Sequence, residues 1–274
     1  MKYFELFLRY PDFKTRAVTL SFDDGGIDDR KMIEIINRYG IKCTFNLDSG
    51  IIDGDEGKVQ PDEFNELYKG HEIACHTYTH PHLDNLDLGG IAYQIIKDRE
   101  KLEGMTGGII GGFAYPFALN ETEGMIDCIR NCGIKYARTT VATHNFNFPT
   151  DYFRWNPTCH QADPKFPELV REFFKPDDVE HPWRIRPLLF YLWGHSYEFK
   201  DNWQRLEQIC EALRKNENVW YATNIDIIDY ISSFKELRRS VNGKIVYNPT
   251  NTDIYVVVNG KNIILKKGET TVLE

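Results

Sequence analysis

Short runs rich in β-branched and aromatic residues alternate with helix-period stretches through most of this chain, and that alternation restricts the fold more than any other feature. Residues 17–22 (AVTLSF), 41–47, 71–75, 112–115, 134–138, 152–155, 188–193 and 219–222 read as strands. Helical patterns fall at 28–39, 61–69, 88–103, 121–132, 164–174, 201–215 and 225–239. Strands that alternate with helices must run parallel, each joined to the next by a crossover helix. A repeat count of seven or eight predicts an α/β protein of the (β/α) barrel type, distorted and seven- or eight-stranded, in preference to an open sheet.

The texture changes after Ser240. The last stretch (VNGKIVYNPTNTDIYVVVNGKNIILKKGETTVLE) carries Asn-Gly twice, a Lys-Lys-Gly turn and several β-branched runs, with no helical period. It predicts a small antiparallel appendage of three or four strands, too short to stand alone. The expected organisation is a barrel over residues 1–240 and an appendage at 241–274 packed on it. A formal charge of −8 argues against a nucleic-acid partner, because nothing would compensate phosphate charge. No run approaches the ~20 apolar residues of a membrane span, and the charged amino terminus lacks a signal-like apolar core. No membrane insertion and a cytoplasmic location are therefore expected. Six dispersed cysteines without a CxxC pair fit the thiols of a reducing compartment.

Barrels place their reacting groups on the rim where strands end. Asp23-Asp24, His76, Tyr115-Pro116, Trp155 and His195 all fall at such ends. Asp-Asp-Gly at 23–25 followed by His76-Thr77-Tyr78-Thr79-His80 is the most specific pair of segments. Four-residue spacing puts two imidazoles on one side of a helical turn, so His76 and His80 reach one ion together with a carboxylate. Three protein ligands leave coordination positions open, as catalysis requires, and the second Asp remains as a base. Asp-Asp-Gly alone would equally make a turn and cap the next helix. A lone HxxxH pair is equally a pair of loop histidines. Their succession favours the metal.

With these segments, FAYPF at 113–117 and LLFYLWGH at 188–195, the chain resembles the polysaccharide deacetylases of the NodB-homology type, carbohydrate esterase family four. The likeness runs from about Ala17 to His195. It implies that Asp23 is the catalytic base, that Asp24, His76 and His80 bind the metal, and that His195 is the general acid. It also implies a divalent cofactor. Mixed nitrogen and oxygen ligation suits zinc, with cobalt, nickel or ferrous iron compatible. Two departures stand out. The third motif commonly carries an arginine that orients the catalytic Asp, and here that position is Ala114. Arg154, in YFRWNPT, is the expected substitute, with a salt bridge under a loop as its rival role. The residue before His195 is Gly194 where the family has an apolar side chain, and a core histidine is the rival reading of that segment.

The resemblance implies hydrolysis of an N-acetyl, or else an O-acetyl, group on an amino-sugar-containing oligo- or polysaccharide. Tyr115, Pro116, Phe117, Trp155 and Trp193 would line the substrate site, and the Phe117 amide would donate to an oxyanion. His71 and His82 are assigned to local structure; His144, His160 and His181 match no motif. Two other functions compete: an amidohydrolase acting on a small or cyclic amide on the same fold, and a carbohydrate-binding protein that has lost catalysis, for which Ala114 is the one supporting feature.

Overall fold

The computed structural model describes residues 3–53, 55–177, 180, 185–214 and 217–274; His181 and the end of the expected 201–215 helix lie outside these. Its centre is a curled parallel sheet of β2 (Arg16–Asp23), β3 (Cys43–Leu47), β4 (Glu72–Cys75), β5 (Gly112–Ala114), β6 (Tyr136–Arg138), β7 (Cys159–His160), β8 (Leu188–His195) and β9 (Val219–Tyr221). The order is β6-β5-β4-β3-β2-β8-β7. β8 flanks β2 along its whole length, while β9 takes the start of its other edge (Arg16 to Val18) and β3 the end (Leu20 to Asp23). The distorted barrel expected from the alternation is the fold observed.

One expected strand is absent. Residues 152–154 form a single 3-10 turn, and only Trp155 bridges to Arg138. That short segment still serves the ring. The Trp155 amide donates to Ala137 O and the Thr139 amide to Trp155 O, while the Thr158 and Gln161 amides donate to Tyr191 O and Trp193 O. Residues 155–161 therefore tie β6 to β8 and draw the open sheet round.

Helices α1 (Asp29–Arg38), α2 (Phe64–Leu67), α3 (Leu88–Thr106), α4 (Glu123–Asn131), α5 (Phe166–Phe173), α6 (Trp203–Leu213) and α7 (Asn224–Lys235) complete the barrel. Side chains alternate across a strand, so β2 faces two environments. Val18, Leu20 and Phe22 join one core with Met32 and Ile36 of α1 and Leu206 of α6. Thr19, Ser21 and Asp23 point the other way, into a polar interior. There the Asn46 amide donates to Ser21 Oγ at 2.8 Å and the Thr19 hydroxyl to Asn224 Oδ1 at 2.8 Å. Buried polar groups need such partners, since each one left unpaired costs roughly 1–3 kcal/mol. Glu72, deeper in the same interior, accepts from Tyr136 Oη, Thr44 Oγ1 and the Ile225 amide, yet burial still pushes its carboxyl up to about 7.

The appendage departs from the expected boundary at 240. β11 (Ile245–Tyr247) pairs with β14 (Thr270–Val272) and with β10 (Arg238–Arg239), which precedes that boundary. A second antiparallel sheet sets β12 (Ile254–Val258) between β13 (Lys261–Leu265) and β1 (Phe7–Arg9). Both ends of the chain thus build the cap. Tyr230 of α7 fastens it, its hydroxyl donating to Arg9 O at 2.7 Å and accepting from the Tyr255 amide at 3.0 Å. Among the described residues, no helix is long and apolar enough to cross a membrane.

Candidate active site

Where β2 ends, strand alternation separates the two adjacent carboxylates. Asp23 is the last inward residue and is almost wholly buried, whereas Asp24 turns onto the rim with a quarter of its side chain exposed. Asp24 does so with a left-handed backbone, φ 79°, and Gly25 continues the turn at φ 62°. Thr77 (φ 71°), His80 (φ 54°) and Phe117 (φ 63°) are left-handed as well. Non-glycine residues in this region cost roughly 1–2 kcal/mol each, so three such residues lining one cavity, Asp24, His80 and Phe117, mark a place where geometry outweighs local stability. Lys58 supports the first turn, its ammonium donating to Asp24 O at 2.5 Å and pairing with Asp48 at 3.1 Å.

The expected helical turn for His76 and His80 is not formed: residues 76–80 are irregular. The two left-handed residues fold the loop back instead. His76 follows β4, and its amide donates to Asp98 of α3 at 3.0 Å. Its ring Nδ1 lies 2.9 Å from Ala114 O, which requires a proton on Nδ1 and leaves a lone pair on Nε2. Nε2 stands 3.1 Å from His80 Nε2 and 3.6 Å from Asp24 Oδ1, and His80 Nε2 is 3.7 Å from the same oxygen. A tetrahedral ion with bonds of about 2.0–2.1 Å separates its ligand atoms by about 3.3 Å. These three donors therefore fit one cation, with the second nitrogen of His76 fixed by a carbonyl as metal-binding imidazoles usually are. Burial lowers the pKa of both rings despite the nearby Asp23 and Asp24. Both are thereby kept neutral and able to ligate.

Asp23 faces the same spot, with Oδ2 at 3.9 Å from His76 Nε2 and 4.0 Å from His195 Nε2. Asn46 donates to its Oδ1 at 2.8 Å, and the fully buried Arg138 binds its Oδ2 at 2.5 Å. Burial alone would raise this carboxyl. Arg138, His76, His195 and Asn46 reverse that and hold it below the usual carboxylate range.

This corrects the expectation for Arg154, which lies on the outside: its guanidinium holds Asp151 at 2.9 Å, Glu123 at 2.7 Å and Glu121 O at 2.7 Å. The arginine at the base comes from β6, and its register explains the substitution. Ala114 on β5 is paired directly with Arg138 on β6. In-register neighbours project to the same face, so the guanidinium enters from the next strand on the same rung, across a residue reduced to a methyl group. The Arg138 guanidinium also lies over the Trp193 ring, 4.6 Å from its centroid.

Asp23, Asp24, His76, His80, Tyr115, Phe117, Trp193 and His195 line one cavity of about 430 Å³, with Ala118, Thr140 and Tyr197. Pro116 is not in its lining. Nor is Trp155, which is buried edge-on between Tyr136 and Tyr191 in the barrel core, correcting its expected place as a pocket wall. Phe117 stacks on His82 at 3.8 Å, and Tyr197 stacks on His195 at 5.0 Å. His71 accepts the Cys43 amide through Nδ1, in keeping with a local structural role.

Arg138, Asn46 and Glu198 are absent from the residues singled out by sequence. Arg138 carried a usable signal, a charged residue ending the predicted strand 134–138 on the rim that holds the other groups. Asn46, one position before the end of β3, offered a weaker form of the same signal. Glu198 offered none, since it lies in a turn after β8.

A buried carboxylate and an imidazole thus stand beside three side chains close enough to hold a cation, at the C-terminal rim of a parallel α/β barrel. Residues 11–137 match the polysaccharide deacetylase family model. A peptidoglycan-N-acetylglucosamine deacetylase of Listeria monocytogenes is 27% identical over 100 residues, 35% of this chain and 21% of its own. The match thus spans about a fifth of that relative. A Mycobacterium smegmatis protein assigned to the polysaccharide deacetylases superposes with a TM-score of 0.61 at 16% identity, covering 86% of this chain and 97% of the other. A Bacillus anthracis pseudoenzyme of carbohydrate esterase family four gives 0.50 at 17% identity over 81% and 68%. At these identities the structures establish the shared fold.

Proposed function

We propose that the protein hydrolyses the N-acetyl group, or else an O-acetyl group, of an amino-sugar-containing oligo- or polysaccharide, using a divalent metal, zinc first among the candidates. The observation that carries this reading is the convergence of Asp24, His76 and His80 within 3.1–3.7 Å of one another, beside a buried Asp23 and facing His195. A bound cation at these three residues would acidify water and polarise an acyl carbonyl.

The chain's own groups then divide the work. Asp23, ionised through Arg138 and Asn46, accepts the proton of the attacking water. The Phe117 amide, at a left-handed residue that lines the cavity, donates to the oxyanion. His195 holds a proton at Nε2 and delivers it to the departing amine, which cannot leave as an anion. Burial disfavours its charged form, but Glu198, Asp23 and Asp24 raise its pKa above the ordinary imidazole value. Tyr197 and Phe117, both partly exposed, offer flat faces to a pyranose ring.

The inactive reading rested on Ala114. Arg138 supplies the guanidinium from the same rung, which removes its motive. The decisive assay incubates the metal-loaded protein with N-acetylglucosamine oligomers, O-acetylated sugars and small cyclic amides, and measures acetate or ring opening. Acetate release abolished by a chelator and restored by metal supports the proposal. Sugar binding without acetate release would overturn it.

A further inference from the structure

Glu198 is positioned by four hydrogen-bond donors, all on one carboxylate oxygen. Its Oε2 accepts from the His195 amide at 3.0 Å and from Gln161 Nε2 at 2.9 Å. It also lies 3.4 Å from His195 Nδ1 and 3.2 Å from His160 Nε2. Gln161 is itself held by Arg205, which donates to its backbone oxygen at 2.8 Å and also binds its side-chain oxygen. Four donors on one oxygen hold Glu198 far below the usual carboxylate range even though burial acts in the opposite sense.

The same three groups, His160, His195 and Glu198, are close enough to hold an ion, but the tautomer of His160 speaks for hydrogen bonding. Its Nδ1 accepts the Ala162 amide at 3.1 Å, so Nε2 must carry the proton and donate it to Glu198. An ion at Nε2 would need that lone pair free. Gly194 supplies an independent observation. A methyl group at that position would come within 2.5 Å of Gln161 Cγ and 3.2 Å of Glu198 Oε2. The missing side chain before His195 is the space the cluster occupies.

We propose that Glu198 is the positioning residue of the acid histidine, admitted by Gly194 and steadied by Gln161 and His160. By accepting from Nδ1–H it fixes the ring's tautomer and aims Nε2 at Asp23 and the cavity. Apart from Glu198, the ionisable groups facing this ring are Asp23, Asp24, His160 and Tyr197. The inference rests on reading His195 as the acid, but its first test needs no turnover.

That test is the long-range nitrogen–proton correlation spectrum of the His195 ring in the intact protein, for wild type, Glu198→Gln, Glu198→Asp and Gly194→Ala. Neutral His195 should be the Nδ1–H tautomer in wild type. In Glu198→Gln and Gly194→Ala it should become a mixture, and Glu198→Asp should restore part of the preference. Circular dichroism verifies the fold of each variant. With an acetylated substrate, kcat should fall about 10–100-fold in Glu198→Gln with KM nearly unchanged, and Glu198→Asp should recover part of it. An Nε2–H tautomer in wild type, or a tautomer indifferent to Glu198→Gln, would overturn the proposal. A normal tautomer pattern in a protein that releases no acetate would sustain the positioning role and remove the reaction instead.

Discussion

The two halves of the rim solve the same problem differently. On the base side, Asp23, His76 and Arg138 are 3%, 2% and 0% exposed, and the Asp23 carboxylate is held by strand residues, Arg138 and Asn46. On the acid side, His195, His160 and Glu198 are 22%, 25% and 28% exposed, and a single carboxylate in a turn holds the imidazole. The buried side gains a strong field and cannot tolerate losing a partner, because an unpaired buried charge is strongly destabilising. The hydrated side is cheaper to perturb and acts through orientation. Each side also departs from the pattern of the family the chain resembles, at Ala114 and at Gly194, and in each a neighbouring side chain occupies the space: Arg138 pairs with Ala114, and Gln161 and Glu198 crowd Gly194.

The largest effects should come from the base side. Asp23→Asn should keep its metal and lose about 10²–10⁴ in turnover, whereas His76→Ala should be purified without stoichiometric metal; elemental analysis and acetate release separate the two. Arg138→Met should cost about 3–5 kcal/mol in stability, read by denaturant unfolding, because it strands the Asp23 charge. Moving the guanidinium back along the rung, in Ala114→Arg with Arg138→Ala, should recover much of that loss. A swap no better than Arg138→Met would mean that the rung is not interchangeable.

The pH profile sharpens the contrast. Asp23 sits below the ordinary carboxylate value and His195 above the ordinary imidazole value. The rate should therefore fall on the acid side as the ligand imidazoles of His76 and His80 or the Asp23 carboxylate are protonated, and on the alkaline side as His195 loses its proton. Glu198→Gln should pull the alkaline limb down and leave the acid limb in place, and a profile shifted on both limbs would contradict separate control. The smallest effect belongs to Arg154→Ala. Its partners lie at the surface, where such pairs are worth ~0–1 kcal/mol, so turnover should be unchanged and the unfolding midpoint should barely move.

What the sequence revealed follows the physics of each signal. Strand–helix alternation and apolar periodicity are local, and the barrel was legible from them; Asp23, Asp24, His76, His80 and His195 were picked out by short motifs and the family resemblance they carry. The arginine was not, because the choice between Arg154 and Arg138 depends on which strands are neighbours and in what register. Trp155 was misread for the same reason: its segment bridges two strands and turns the ring inward. Glu198 depends on a turn and on a methyl group missing from residue 194, and neither has a period to read.

The pairing of Phe7–Arg9 with Tyr255–Val257 has a consequence for synthesis. Phe7–Arg9 has no partner until Tyr255–Val257 have emerged from the ribosome. Its exposed edge and the seat for the cap on α7 must wait together, and a chain shortened by its last two dozen residues would leave both open to self-association.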